Sequence, residues 1–156
     1  MFLKKLSTSK KISISLAGLA VLTLAVALLI GSSAMQTDAA SRYVRGDACG
    51  TGVCGSATFQ FRNSAQLMNI TYSVKDTKCD SHDVYIQLRV FDQRGGHHDL
   101  TRHYNSSGCG ANATRYVSGY SNPSSDIKGI QVITCVDDFG SNTCYYSRYI
   151  DDPYIS

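Results

Sequence analysis

Two cysteines are predicted to face each other across a β-hairpin between residues 129 and 149. β-Prone runs there flank a turn rich in Asp, Gly, Ser and Asn, a composition typical of hairpin loops. If Phe139 and Gly140 form a two-residue loop, Cys135 lies opposite Cys144 at a non-hydrogen-bonded pair, where side chains are closest. A four-residue loop would place the same pair at a hydrogen-bonded position, where a disulfide fits less well. The hairpin therefore predicts a cross-strand disulfide.

All six cysteines lie in the part of the chain that follows an apolar N-terminal segment. Six cysteines allow 15 pairings, and the preferred set is Cys49–Cys54, Cys79–Cys109 and Cys135–Cys144. The first pair closes a tight loop, the third joins the hairpin, and the second is what remains. A zinc site is the alternative, but the paired C-x-x-C spacing typical of such sites is absent. Disulfides would strengthen a chain this short, which buries only a modest core.

A lysine-rich start and an apolar run indicate that the chain is exported. Four lysines form a positive region: Lys4, Lys5, Lys10 and Lys11. Residues 12–30 are uncharged and mostly apolar, and Ser32 and Ala34 suit the −3 and −1 positions of a cleavage site. Residues 1–34 are therefore predicted to be a signal peptide of a secreted protein. The alternative is an uncleaved membrane anchor, because the run approaches the roughly 20 residues that span a bilayer.

The charge of the remaining chain argues against a nucleic-acid partner. The whole chain carries a net charge of +3, but from Ser41 onward three Lys and eight Arg balance eleven Asp. The positive excess thus belongs to the export signal, and a neutral domain is not drawn to nucleic acid or to anionic lipid by charge. No cofactor is predicted, and a membrane contact is expected only through an uncleaved signal segment.

Short β-prone segments follow one another after the signal segment, and no helical period is sustained. The clearest is 84–91, where Val84, Ile86, Leu88 and Val90 share one face. The others are residues 57–62, 67–74, the segment after the turn at 94–96, 114–118 and the two arms of the hairpin. A three-residue loop at 94–96 would place Leu100 opposite Val90 and Tyr104 opposite Ile86.

These segments predict an all-β fold: an antiparallel β-sandwich, or a small barrel, of six to eight short strands joined by disulfides. About 115 residues outside the signal peptide suit one domain. Residues 35–56 are rich in Gly and polar groups and are predicted to be a leader with the small disulfide loop. Residues 57–156 are predicted to form the β-sandwich domain.

The stretches CDSHDVYIQL and VITCVDDFGSNTC resemble small secreted proteins of filamentous Gram-positive bacteria. The resemblance covers about residues 67–150, and its specific parts are Asp-x-His before an alternating strand and the Cys-Val-Asp-Asp hairpin with its second Cys. The group has no assigned activity. The resemblance therefore implies export and a β-rich fold, and it contributes no catalytic residue.

Two groups of side chains are candidate metal ligands. His97, Asp99 and His103 fall on the outward face of one strand in the three-residue-loop register, and such a set could hold a transition metal. Three acidic residues crowd the loop before the strongest strand and could bind calcium: Asp76, Asp80 and Asp83. Neither group has a recognised ligand spacing. The alternative is a solvated loop and a solvated strand face.

Strand alternation places Tyr85 and Tyr146 away from the core, where exposed tyrosines provide contact area for sugars or proteins. With His97 and His103, they are the candidate binding residues of a non-catalytic interaction module for an extracellular glycan or protein. The alternative is a small secreted hydrolase that uses His97 or His103 with an Asp. Asp137 and Asp138 are strand neighbours that point to opposite faces, so they cannot flank one scissile bond.

Overall fold

The computed structural model describes residues 43–155 of the 156-residue chain. This part contains ten β-strands and no helix, and therefore no helical segment that could span a membrane. The strands are β1 (Val44–Gly50), β2 (Val53–Asn63), β3 (Gln66–Asp76), β4 (Asp83–Asp92), β5 (His97–Asp99), β6 (His103–Tyr104), β7 (Asn112–Ser121), β8 (Ile127–Asp137), β9 (Thr143–Tyr146) and β10 (Ile150–Asp151). The predicted signal peptide over residues 1–34 lies outside the described residues.

The strands form two antiparallel sheets. The first sheet has the order β1-β2-β3-β7, so β1 and β7 are its edges. The second sheet has β8 and β4 at its centre, with β10 beside β8 and β5 beside β4. The short strand β6 also pairs with β4, and β9 pairs with β8. The predicted all-β, antiparallel fold is therefore confirmed.

One cluster of buried hydrophobic side chains draws on both sheets, as strand alternation predicts. The predicted face of β4 is confirmed, because Val84, Ile86, Leu88 and Val90 are all buried in this cluster. The first sheet contributes large side chains from β2 and β3: Phe59, Phe61, Leu67, Ile70 and Tyr72. Burial of this apolar surface is the main force that holds the two sheets together.

All three predicted disulfides are confirmed: Cys49–Cys54, Cys79–Cys109 and Cys135–Cys144. Cys135 lies directly opposite Cys144, and their Cα atoms are 4.1 Å apart, the short spacing of a non-hydrogen-bonded pair. The two-residue hairpin loop is wrong, because the ladder ends at Val136 and Thr143. Phe139 stands fully exposed in the longer loop.

The segment predicted to be a leader is part of the first sheet from residue 44 onward. β1 pairs with β2 along its whole length, and the Cys49–Cys54 disulfide lies next to their turn. The glycines that suggested a loop mark close approaches between the sheets instead. A Cβ atom on Gly55 would lie 2.8 Å from a side-chain carbon of Thr134 in β8, so only glycine fits there.

The register along the second sheet changes by one residue between β5 and β6. β5 places His98 opposite Val90, whereas β6 places His103 opposite Ile86 and Tyr104 opposite Tyr85. The predicted pairing of Tyr104 with Ile86 is therefore wrong. Because a one-residue slip turns every side chain to the other face, His103 lies on the inner side with Ile86, and Tyr104 lies on the outer side.

Candidate functional site

A cleft opens where the free edges of the two sheets lie side by side. One wall is β7, and the other is the segment from Asp99 to Tyr104, which includes β6. The space consists of two cavities of about 310 and 420 Å³ that share Tyr72 and His103 in their lining. We call this space the edge cleft.

Two polar side chains lie at the centre of the edge cleft without a hydrogen-bonding partner. The rings of Tyr72 and His103 are in contact, with centroids 4.4 Å apart. Tyr72 is 2% exposed, and burial raises the pKa of its hydroxyl. Neither side chain is hydrogen-bonded to any of residues 43–155. Both groups are therefore free to bond a ligand that enters the cleft.

The smaller cavity of the edge cleft is lined by positive and neutral polar groups. Arg115 is exposed on β7 directly opposite Tyr72 in the ladder, and Arg102 lies on the other wall. Three hydroxyl groups add further donors: Ser106, Ser107 and Thr114. Within the described chain, no carboxylate lines this cavity. Arginine and histidine donors without a competing acid form a site for an anionic group.

His103 lies in an environment that disfavours its charged form. Burial lowers the pKa of His103, and the positive charge of Arg115 lowers it further. A bound anion would offset both effects by pairing with the imidazolium. The protonation of His103 and the binding of an anion are therefore coupled.

The predicted face that joins His97, Asp99 and His103 is not found, because the register change turns His103 inward. Asp99 is instead held by Arg89 through two hydrogen bonds of 2.7 and 2.9 Å. His97 is exposed on the outer side, with its ring near Phe91. The arrangement expected of a His–Asp hydrolase site is thus absent around His103 in the described part of the chain.

The other two histidines also lie apart. His98 is hydrogen-bonded to the hydroxyl of Tyr120, which joins β5 to β7. His82 contacts Asp80, with the ring nitrogen 3.0 Å from the carboxylate oxygen. Residues 43–155 contain no group of three or more His, Cys, Asp or Glu that could hold a metal ion.

The three acidic residues predicted to bind calcium are used in other ways. The carboxylate of Asp76 accepts hydrogen bonds from the backbone of Lys78 and Cys79, at 2.9 and 3.2 Å. Lys78 also lies 2.9 Å from Asp80, and its hydrogen bond, followed by that of His82, lowers the pKa of Asp80 to about 2. Asp83 stands at the start of β4, opposite Asp137. The loop is therefore organised by its own donors.

Of the two tyrosines predicted to be exposed, Tyr146 is confirmed and Tyr85 is wrong. Tyr146 is 51% exposed, whereas Tyr85 is only 2% exposed although it lies on the outer face. Tyr85 packs with Ile133, Cys135 and Cys144 in a second, smaller cluster. Its ring is covered by Tyr104 and by the guanidinium of Arg102, 4.6 Å from the ring centroid. We call these six residues the outer-face cluster.

The sequence pattern missed the residues that shape the edge cleft, namely Tyr72, Arg102 and Arg115. Tyr72 was correctly placed on the inner face of β3, but its free hydroxyl depends on contacts that the pattern does not show. The one available signal was the position of Arg102 beside His103.

Comparison of the sequence with protein-family models, with curated proteins and with solved structures found no match. The function must therefore be inferred from the edge cleft itself.

The coupling at His103 predicts a loss of stability in mild acid. Above pH 6.5, its ordinary pKa, His103 is neutral in both the folded and the unfolded chain. As the pH falls below this value, the unfolded chain takes up the proton first, because the folded pKa is lower, and the free energy of unfolding decreases. Urea unfolding between pH 7.5 and 5 should show a steeper decrease for the native protein than for His103→Gln.

The matched control is His97→Gln, which removes an exposed imidazole outside the cleft. This variant should follow the native profile. Equal pH profiles for the native protein and His103→Gln would contradict the prediction.

Proposed function

We propose that the protein is a secreted, non-catalytic binding module that holds an anionic group of an extracellular glycan or protein in the edge cleft. The observation that carries the proposal is the set of three positive or protonatable side chains around the free Tyr72 hydroxyl: Arg102, His103 and Arg115. No acid in the described lining of the smaller cavity competes with a ligand for them. The anionic group is a carboxylate, a sulfate or a phosphate.

Three disulfides support the export part of the proposal, because disulfides persist in oxidising compartments. The Lys-rich start, the apolar run over residues 12–30 and the resemblance to small secreted bacterial proteins point the same way. In this proposal the two sheets form a β-sandwich around their shared core, and the edge cleft opens along one side of it.

A hydrolase centred on His103 finds less support. Such an enzyme needs a group that orients the imidazole and a nucleophile or activated water beside it. The described neighbour of His103 is the ring of Tyr72, and the nearby charge is the positive charge of Arg115. These neighbours suit a ligand-binding histidine better than a general base paired with a carboxylate.

The test is an NMR titration of isotope-labelled protein with glutarate and, separately, with sulfate. The signals of His103 and of the arginine side chains in the cleft are expected to shift and to saturate. Arg115→Gln should weaken glutarate binding about tenfold, since a hydrogen bond between charged groups contributes about 1.5–3 kcal/mol.

Arg94→Gln is the matched control, because Arg94 lies in the exposed turn between β4 and β5, outside the edge cleft. It removes the same charge and should leave binding unchanged. If neither anion shifts the cleft signals, or if both variants weaken binding equally, the proposal is wrong.

A further inference from the structure

The strand that forms one wall of the edge cleft has a free edge. β7 is ten residues long, stands last in the first sheet and pairs only with β3 among the described strands. A free edge presents backbone N–H and C=O groups that can pair with another chain. The hydrogen bond between His98 and Tyr120 closes the cleft near the end of β7, so the open part of the edge covers residues 112–117.

Two backbone hydrogen bonds show which groups of β7 point outward. Thr77 donates to Gly52 of the turn before β2, whereas Asp76 accepts from Gly110, which precedes β7. Residue 77 of the first sheet thus bonds towards β2, and residue 76 bonds towards β7. Because this direction alternates along a strand, Val74 and Tyr72 also bond towards β7.

The partners of Val74 and Tyr72 on β7 are Ala113 and Arg115, so their backbone groups are engaged with β3. The residues between and beside them have their backbone groups turned to the free edge: Asn112, Thr114 and Tyr116. Three residues with outward groups are sufficient to pair with a short strand of about five residues.

The side chains beside this edge add a chemical preference. Arg115 lies on the same side of β7 as the half-buried Ala113 and Val117, which face the core and the cleft. A strand added to β7 would lie about 4.8 Å away, at the mouth of the edge cleft. Every second side chain of such a strand would face Arg115 and His103.

We propose that an extended acidic peptide segment of a partner protein pairs with the free edge of β7 and directs a carboxylate into the edge cleft. The inference rests on the proposed binding function of the same cleft, and it names the partner. The repeating backbone groups at residues 112, 114 and 116 match the spacing of a peptide backbone. A second copy of β7 is a poorer occupant, because it would place two Arg115 side chains at one edge.

The probe is a phage-displayed library of linear nine-residue peptides, selected on the immobilised full domain and then resynthesised for calorimetry. Enriched peptides should contain an Asp or Glu within a β-prone sequence. Arg115→Gln should weaken their binding about tenfold, as it does for glutarate.

Proline substitution tests the backbone pairing directly. Tyr116→Pro removes an outward N–H without removing a bond to β3, and proline is tolerated on such an edge position. The matched control Tyr116→Ala removes the same exposed side chain and keeps the N–H. Tyr116→Pro should weaken peptide binding at least tenfold relative to Tyr116→Ala. If Tyr116→Pro does not fold, Asn112→Pro and Asn112→Ala provide the same comparison at the next free N–H but one.

Glutarate binding to Tyr116→Pro keeps this test separate from the test of the proposed function, because a small dicarboxylate needs no backbone pairing. Glutarate binding without enriched peptides overturns the inference and leaves the proposed function standing. Peptides that bind the proline and alanine variants equally also overturn it. The same holds if the cleft binds oligogalacturonate but no peptide, or if sedimentation shows a dimer that Tyr116→Pro disrupts.

Discussion

Replacing Tyr85 with alanine is expected to lower the free energy of unfolding by at least about 3 kcal/mol, the usual cost of deleting a buried aromatic side chain. Tyr85 is 2% exposed and packs against Ile133 and the Cys135–Cys144 disulfide. Its hydroxyl also accepts a 2.8 Å hydrogen bond from the side chain of Asn142. Removing the ring would leave a cavity under Arg102 and Tyr104, and the loss should be measurable by urea unfolding.

Tyr146→Ala is the matched control, because Tyr146 lies on the same face of the same sheet but is 51% exposed. Its stability should stay within about 0.5 kcal/mol of the native value. Tyr85→Phe, which keeps the ring and removes the hydroxyl, should lose about 1 kcal/mol. Equal stabilities for Tyr85→Ala and Tyr146→Ala would show that the outer-face cluster does not hold the sheet together.

The second large effect is expected from the Cys79–Cys109 disulfide. The double substitution Cys79→Ala with Cys109→Ala should lower the free energy of unfolding by about 3.5 kcal/mol, by the chain-entropy relation for the closed loop. The two cysteines are 30 residues apart, and β4, β5 and β6 lie between them. The bond thus restricts the part of the chain that forms one wall of the edge cleft. Guanidinium unfolding of the oxidised proteins gives the comparison.

The internal comparison is Cys49→Ala with Cys54→Ala, which opens a loop of only 5 residues in sequence separation. The same relation predicts a smaller loss of about 2 kcal/mol. A loss for the shorter loop that equals or exceeds the loss for the longer one would contradict the entropic account. Thiol titration of both variants should find no free cysteine, since the other two disulfides remain intact.

Local patterns were sufficient to predict the strands whose faces are clearly apolar or polar. β4 was predicted with its inner face because Val84, Ile86, Leu88 and Val90 alternate without interruption. The Cys135–Cys144 pairing followed from the spacing of two residues in one hairpin. These features depend on residues that are close in sequence, so a single sequence contains the necessary information.

The errors have a common physical cause, which is that they depend on residues far apart in the sequence. The outer face of β4 is buried at Tyr85 because Arg102 and Tyr104 fold over it, and no alternation rule predicts such a cover. The inward position of His103 results from a one-residue register change that leaves no mark in the spacing of apolar residues. The edge cleft could not be predicted for the same reason, because Arg115 is brought to His103 only by the packing of the two sheets.

The order of strands within each sheet also has a consequence for folding. The first sheet is completed only when β7 pairs with β3, and the centre of the second sheet forms only when β8 pairs with β4. A nascent chain that ends before Asn112 would have neither β7 nor β8, so both β3 and β4 would expose an unpaired edge. Contacts between distant parts of a chain slow folding, and we therefore expect folding to begin in earnest only after the last third of the chain has been synthesised.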